Sequence, residues 1–369
     1  MKRISKFFGA IMMLVATTVI LVSCTRSNDK YKIGVLMYNY TDVQGLEVKA
    51  YGDYLEKNFN VQFEYVTVGA EDEKHIQAIE NLTAKGVNAI ISGYETVLNR
   101  SVSLAAEAGA YYSVLLAEAT QDLDVVGKNP YFLGGIKQFG EDPKELGAKY
   151  AETVHAAGIS KVGVTSFVPF LFLDANNIIN GFKERLIELN SNAVIYDPVF
   201  HMFDPAEISN NLSNYMTTNN EMEAIFALGS GMDFIYPALS NAGKLGQVKL
   251  LTLGYNQSSE GAIKDGSLLM GGTSDVSQAL AYSFALIYDK LEGKAYEHDV
   301  NGAINYPTFN SASEVEKFVK YVTATDKSKG SVTAEELKNV MKSFNNDATY
   351  SDLLKLTTRS LQDIEAARS

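Results

Sequence analysis

The chain contains 369 residues, of which 46% are hydrophobic and 21% are charged, with 28 Gly and 7 Pro. This composition is that of a globular protein, and a length above roughly 250–300 residues predicts two domains. The net charge of −12 argues against a nucleic-acid partner, and the single cysteine excludes a disulfide framework and a cysteine-ligated metal site.

The N-terminal segment has the composition of an export signal. Lys2, Arg3 and Lys6 precede an apolar run over residues 7–22, which is shorter than the roughly 20 residues of a membrane-spanning helix. The four residues ending at Cys24, LVSC, resemble the signal of bacterial lipoproteins. That resemblance implies cleavage after residue 23 and lipidation of Cys24; an uncleaved membrane anchor is the alternative. Cleavage would leave a mature chain of net charge −15.

After a polar linker over residues 24–30, short β-rich runs alternate with amphipathic stretches. This alternation predicts βαβ units and a parallel sheet, and the continuous apolar runs are typical of strands covered on both faces. The predicted strands are Lys32–Met37, Val61–Val68, Val87–Ser92 and Tyr112–Leu116. The predicted helices are Val43–Asn58, Glu73–Lys85 and Val97–Ala108.

The same pattern starts again after a helix predicted at Pro143–Ala157, and it indicates a second sheet. Asp204 and Pro205 are typical of a helix start, with a capping side chain followed by a proline in the first turn. The predicted strands are Val162–Ser166, Ala193–Pro198, Ala224–Leu228 and Lys249–Gly254. The predicted helices are Asn176–Glu188, Pro205–Thr217, Met232–Ala242, Glu260–Lys264 and Ser277–Leu291.

The C-terminal region departs from this alternation. Residues 304–322 contain a candidate short strand and a helix, and the polar segment Thr325–Gly330 has the composition of a loop. Thr333–Phe344 and Tyr350–Ala366 are predicted as two amphipathic helices. The fold class is therefore α/β, with two doubly wound parallel-sheet domains and a helical C-terminal appendage.

Four local motifs resemble the type I solute-binding proteins of ABC transporters, the ribose- and galactose-binding group. They are the first strand with its polar loop, the third strand NAIISG (residues 88–93), the segment LGYN (253–256) with its AIKDG continuation, and the helix that ends in LEGK (291–294). The similarity covers approximately residues 31–309. It implies two lobes joined by three crossovers, near 136–138, 273–275 and 300–306. Lobe one would comprise 31–137 plus 275–302, lobe two 138–274 plus 303–322, and the extension 323–369.

In this family the ligand lies between the lobes, at the carboxyl ends of the strands. The candidate binding residues are polar or aromatic and follow the predicted strands or lie at a crossover. They are Asn39, Tyr40, Tyr94, Glu95, Glu118, Asn176, Phe203, Ser230, Asn256 and Asp275.

Several of these positions differ from the family pattern. Glu118 stands in the place of an Asp-Arg pair, Asn176 in the place of an arginine and Asn256 in the place of an aspartate. Because the loops contain no arginine to pair with an anion, we expect a neutral polar solute, either a sugar or a nucleoside. Phe167, Phe170 and Phe172 lie in a neighbouring loop, and one of them could also reach the ligand.

No enzyme motif is present, so no catalytic residue, metal or cofactor is predicted. The resemblance implies a monomeric, extracytoplasmic receptor, lipid-anchored to the bacterial cell membrane, that delivers its solute to an ABC permease. The alternative is a ligand-sensing lipoprotein of the same fold that signals to a sensor kinase or a chemoreceptor. A transcription regulator of this fold would need an N-terminal DNA-binding domain, where this chain has an export signal.

Overall fold

The computed structural model describes residues 30–120, 122–169, 172–202, 204–229 and 231–368. The predicted export signal, Cys24 and most of the linker lie outside these residues, as do Phe170, Phe203 and Ser230. No helix in the described ranges is long and apolar enough to cross a membrane.

The described strands and helices alternate along most of the chain. The strands are β1 (Tyr31–Met37), β2 (Val61–Thr67), β3 (Ala89–Ser92), β4 (Tyr111–Val114), β5 (Gly135–Lys137), β6 (Lys161–Phe167), β7 (Val194–Ile195), β8 (Val199–His201), β9 (Ala224–Leu228), β10 (Lys249–Leu253), β11 (Leu268–Gly272), β12 (Asn301–Ala303) and β13 (Thr308–Phe309). The helices are α1 (Val43–Asn58), α2 (Asp72–Ala84), α3 (Leu98–Glu107), α4 (Leu123–Val126), α5 (Pro143–Ala156), α6 (Ala175–Leu189), α7 (Pro205–Thr218), α8 (Gly231–Asn241), α9 (Ser258–Asp265), α10 (Val276–Leu291), α11 (Ala312–Tyr321), α12 (Ala334–Val340), α13 (Tyr350–Thr357) and α14 (Leu361–Arg368).

Two separate sheets organise the chain into two lobes. In lobe one the parallel strands run in the order β2-β1-β3-β4. In lobe two the order is β13-β11-β10-β9-β6-β7, with β8 also paired to β6, and only β13 is antiparallel to its neighbour. Apolar residues are buried on both faces of each sheet. The predicted fold class is confirmed.

The connections between the lobes are tied to one another. In the first and third connections, β5 and β12 pair as a two-stranded parallel sheet. The second connection is joined to the first because the Ser274 hydroxyl donates a hydrogen bond to Gln138 Oε1 over 2.8 Å. These short segments form the hinge of the molecule, since a rotation of one lobe against the other must pass through them.

The strands of lobe two differ from the prediction at two places. The segment predicted as one strand over 193–198 forms two short strands, β7 and β8, which lie on either side of Pro198. Proline has no N–H to donate to a sheet, so it favours an interruption there. Strand β11 was missing from the prediction, and its two terminal glycines, Gly271 and Gly272, weaken the β-rich signal of the segment.

The C-terminal extension contains three helices where two were predicted. Ser360 and Asp363 cap each other's backbone N–H groups, over 2.9 and 3.2 Å, and so begin α14 as a new helix. Helix α12 ends at Val340, because the buried Asp289 carboxylate accepts from the backbone N–H groups of the following residues, 342 and 343. The polar segment 325–330 includes a short 3₁₀ turn, in which Lys327 is buried.

Candidate functional site

Residues at the carboxyl ends of the parallel strands in the two lobes lie near each other, and the space between them is called the cleft here. In a parallel sheet these ends lie at one edge, where the following loops and helix N-termini gather. Carboxylates of the two lobes interact electrostatically at two places. Asp174 of lobe two raises the pKa of Glu118 in lobe one, and Asp42 of lobe one raises the pKa of Asp233 in lobe two. The strand-end residues of the two lobes are therefore near neighbours.

Glu118 lies at the first of these places, in the loop after β4. Burial is the main cause of its raised pKa, and Asp174 and Glu141 add to it, while Lys137 acts in the opposite direction. The Lys137 ammonium is itself bonded to Glu141 over 2.6 Å. Burial also raises the pKa of Asp174. Glu118 remains half-buried, so its carboxylate can accept hydrogen bonds from a solute in the cleft.

Asn256 lies at the second of these places, where its side chain is hydrogen-bonded to Asp233. Its amide donates to Asp233 Oδ1 over 2.9 Å and to the backbone oxygen of Met232 over 3.1 Å, while its Oδ1 accepts from the backbone N–H of Ser258. Burial raises the pKa of Asp233, and the Asn256 amide partly offsets that effect. Asn256 therefore orients an acidic residue that faces lobe one.

The loop after β1 uses two candidate residues internally. Asn39 Oδ1 accepts from the backbone N–H groups of Thr41 and Asp42, and its amide donates to Asp42 Oδ2 over 2.8 Å. The Tyr40 hydroxyl donates to the backbone oxygen of Val35 over 2.8 Å, and its ring packs edge-on against Tyr65. The polar groups of both residues therefore shape the cleft wall, and the loop holds Asp42 in place.

Tyr94 is an aromatic surface at the end of β3. Its ring centroid lies 6.4 Å from that of Tyr38, a partly exposed residue at the end of β1, and the two planes are tilted by 53°. Burial is the main cause of the raised pKa of Tyr94, and Asp42 adds to it. The two rings place apolar aromatic faces near a carboxylate, a combination that suits a polyhydroxylated solute.

Glu95 follows Tyr94, but its carboxylate points into lobe one. Its Oε2 accepts from the Tyr112 hydroxyl and lies 3.2 Å from His75 Nε2, while Oε1 accepts from the Val97 N–H over 2.8 Å. Burial opposes ionisation, but these bonds outweigh it and lower the pKa of Glu95. With 4% of its side chain exposed, Glu95 is bonded to groups of its own lobe in this structure, and its role as a ligand contact stays a prediction.

Asp275 is likewise buried, at the second connection between the lobes. Its Oδ1 accepts from the Gln278 N–H over 3.0 Å and from the Ser331 hydroxyl over 2.9 Å, and Oδ2 has no hydrogen-bond partner among the described residues. Because its exposure is 0%, a solute cannot reach this carboxylate in the structure. Asp275 caps α10 at the hinge, and its role as a ligand contact stays a prediction.

The remaining candidates lie on lobe two. Asn176 is exposed in the first turn of α6, beside Asp174. Phe203 and Ser230 lie outside the described residues. Phe172 is partly buried, with its ring centroid 5.1 Å from that of Phe139, and Phe167 packs edge-on against His201. Of these remaining candidates, Asn176 is the one described residue that offers an exposed polar group.

The family profile described as "periplasmic binding protein domain" matches residues 33–295, which is more than half of the chain. The chain belongs to this family. No curated protein sequence matches the chain significantly.

Solved structures of ABC transporter solute-binding proteins share the fold of this periplasmic binding protein. One from Actinobacillus succinogenes with bound D-allose is 16% identical with a TM-score of 0.65, and the match covers 78% of this chain and 99% of that chain. One from Bacillus halodurans with bound myo-inositol is 17% identical with a TM-score of 0.65, and the match covers 80% and 100%. The arabinose-binding component from Shewanella is 15% identical with a TM-score of 0.64, covering 78% and 95%.

Four helix N-termini of this periplasmic binding protein are capped by its own aspartates. Asp42, Asp142, Asp204 and Asp275 each accept a hydrogen bond from a backbone N–H in the first turn of their helix. Asp174 precedes α6 in the same position. A helix N-terminus attracts anions through its free N–H groups and its dipole, and an aspartate there supplies the negative charge internally.

Asp174 and Asp233 were not among the predicted site residues. Each stands at the beginning of a helix that follows a strand, and that position was the available signal. The described residues contain no group of three or more His, Cys, Asp or Glu that could hold a metal ion. The site therefore consists of acidic and aromatic side chains arranged on two facing lobes.

Proposed function

We propose that this protein is the substrate-binding component of an ABC importer and captures a small neutral polar solute, either a sugar or a nucleoside, in the cleft between its lobes. The observation that carries the proposal is that acidic side chains of the two lobes, Glu118 with Asp174 and Asp42 with Asp233, lie close enough for their charges to act on each other. Carboxylates accept hydrogen bonds from hydroxyl groups in fixed directions, and these bonds are stronger than those between neutral partners.

The charge of the cleft supports a neutral solute against an anionic one. The strand-end loops contain no arginine, and Lys137 is already bonded to Glu141 over 2.6 Å. The aspartates at the helix N-termini would repel a phosphate or carboxylate group. The sugar or inositol bound in the structural neighbours supports the same class of ligand. Tyr38 and Tyr94 would offer an apolar face to a sugar ring or a base.

Delivery to a permease and attachment to the membrane complete the proposal. The segment that ends at Cys24 supports export and lipidation, so the monomer would work outside the cytoplasm, held at the cell membrane through several acyl chains. Closure of the lobes over the solute would present the loaded form to the permease, because ligand that contacts both lobes favours the closed arrangement.

A ligand screen followed by calorimetry tests this proposal. Thermal-shift measurements on the detergent-solubilised full-length chain would compare neutral sugars, polyols and nucleosides with sugar phosphates and carboxylates. We expect neutral compounds alone to stabilise the protein. For the best ligand, Glu118→Gln should weaken binding about tenfold, since a charge-assisted hydrogen bond becomes a neutral one.

Glu107→Gln is the matched control, because Glu107 is exposed at the carboxyl end of α3, away from the strand ends that form the cleft. Stabilisation by phosphorylated or carboxylated compounds alone would contradict the ligand class. Equal affinities of the Glu118 and Glu107 variants and the unsubstituted chain would contradict the location of the site.

A further inference from the structure

The C-terminal extension, residues 323–368, crosses between the lobes and is named the strap here. It leaves lobe two after α11, where Val322 is buried in the core of that lobe. Its middle part then packs on lobe one, where Val332, Leu337, Met341 and Leu353 join the buried cluster around α10. All of the strap lies beyond the residues matched by the family profile, which ends at residue 295.

The strap is attached to lobe one by polar contacts as well. The buried Lys327 ammonium pairs with Glu47 in the second turn of α1, and the Val332 backbone oxygen accepts from the Tyr51 hydroxyl over 3.1 Å. The hydroxyl oxygen of Tyr350, in α13 of the strap, lies 3.0 Å from that of Tyr282 in α10. The segment from residue 327 to residue 357 is therefore part of lobe one.

The last helix of the strap returns to lobe two. Leu361 packs against the core cluster that contains α11, and Ile364 is fully buried. Glu365 Oε2 is bonded to the Lys317 ammonium of α11 over 2.7 Å. The strap thus begins and ends on lobe two while its middle belongs to lobe one, which adds two connections between the lobes to the three of the hinge.

The turn before α14 contacts the hinge directly. The Arg359 backbone oxygen accepts from the Gln278 amide of α10 over 2.9 Å and from the Asn305 amide, beyond the third connection, over 3.3 Å. Ser331 donates to Asp275 at the second connection over 2.9 Å. One carbonyl group therefore holds a residue of lobe one and a residue next to lobe two at the same point.

An ion-pair network inside the strap joins its two halves. Glu336 Oε1 accepts from Arg359 over 2.8 Å, and Glu336 Oε2 accepts from Arg368 over 2.7 Å. These guanidinium groups overcome the effect of burial and lower the pKa of Glu336 well below its ordinary value. Glu336 lies on the part packed against lobe one and Arg368 on the helix packed against lobe two, so the network also bridges the lobes.

We propose that the strap restricts rotation of the lobes about the hinge and opposes their separation in the unliganded protein. Repulsion between like charges on the two lobes, Asp42 with Asp233 and Glu118 with Asp174, favours opening. Opening requires the strap to bend at residues 358–360 and to break its contacts on one lobe. The strap contacts therefore set the range of interlobe distances that the protein can adopt without ligand.

Distances between spin labels on the two lobes test this proposal without any ligand, so the result is independent of the proposed solute. Exposed positions near the cleft edge are available in α3 and α7, as Asn99→Cys and Ser209→Cys in a full-length, detergent-solubilised chain carrying Cys24→Ser. The strap is weakened by truncation after Ser360. Because the truncated chain could fail to fold, the full-length double substitution Lys317→Ala with Leu361→Ser is measured as well.

Lys144→Ala is the control, since it breaks an exposed ion pair with Glu184 within lobe two, far from the strap. Circular dichroism verifies that each variant is folded. We expect the distance distribution of the strap variants to become broader and to shift to longer distances, while the control matches the unaltered chain. The proposal would be overturned if the folded strap variants gave the same distance distribution as the unaltered chain, or one shifted to shorter distances.

Discussion

Replacement of Asp275 by asparagine removes a buried charge at the hinge and keeps its capping geometry. Asparagine Oδ1 can still accept from the Gln278 N–H and from the Ser331 hydroxyl, which the Asp275 Oδ1 accepts over 3.0 and 2.9 Å. The second carboxylate oxygen has no partner among the described residues, so no further hydrogen bond is lost there. The principal change is therefore electrostatic.

The size of the effect follows from the pKa of Asp275. Burial raises this pKa from 3.8 to about 6, and the bonds from Gln278 and Ser331, together with Lys327, only partly compensate. The difference corresponds to about 3 kcal/mol that ionisation of Asp275 costs the folded state at neutral pH. The stability advantage of the protonated acid is complete below pH 3.8 and is lost as the pH rises through about 6. Asparagine, which stays neutral, avoids this loss.

Urea unfolding of the unsubstituted chain and of Asp275→Asn between pH 4 and pH 7.5 measures the effect. We expect the free energy of unfolding of the variant, relative to the unsubstituted chain, to rise by about 2.4 kcal/mol across this interval, since part of the ~3 kcal/mol is already lost at pH 4. Asp124→Asn, which removes an exposed carboxylate from α4, controls for the loss of one charge. Parallel pH profiles of Asp275→Asn and the unsubstituted chain would refute the reasoning.

Three further predictions concern other carboxylates and the membrane anchor. Glu95→Gln should lower the free energy of unfolding by about 1–3 kcal/mol at pH 7. The loss should become smaller as the pH falls through the lowered pKa of Glu95, because the native carboxylate is then neutral as well. Equal losses at pH 7 and pH 3 in urea titrations would contradict this. Glu336→Gln should cost about 2 kcal/mol in the same assay, because two guanidinium groups lose their charged partner, and an unchanged midpoint would contradict it. Cys24→Ser should abolish incorporation of labelled palmitate in cells, and persistent labelling would show that Cys24 is not the lipidated residue.

Most of the α/β core could be predicted because each element carries its own signal. Helix α1 has the predicted limits, Val43–Asn58, since a capping aspartate begins it and a polar, asparagine-rich turn ends it. Strands β1 and β9 are short, largely apolar runs, a pattern typical of buried strands. The short hinge strands β5 and β12 pair over three residues each, and only contacts between distant parts of the chain determine such pairing.

The helices of the strap were harder to delimit because their ends depend on tertiary contacts. Helix α12 ends where Asp289, about 50 residues earlier in the chain, accepts from the backbone N–H groups of Lys342 and Ser343. The break between α13 and α14 depends on a local capping pair, Ser360 and Asp363, whose spacing is visible in the sequence. The start of α14 is therefore encoded locally in the sequence.

The candidate site was only partly predictable because strand-end polar residues have two uses that look alike in a sequence. Asn39 and Glu95 both follow strands, but their side chains bond to groups of lobe one. Glu118 follows a strand in the same way and stays available to the cleft. The difference lies in which hydrogen-bond partners the surrounding fold provides, and the order of residues does not encode that locally.

Helix α10 connects the hinge, the core and the strap in one physical argument. Its residues 276–289 are buried on every side, and a helix that is apolar all round requires cover on its outer face as well as on the sheet. Residues 332–356 of the strap belong to the same buried cluster as α10 and cover part of this helix. The strap is therefore needed to bury lobe one, and its attachment to lobe two by α14 makes the same segment a restraint on the hinge.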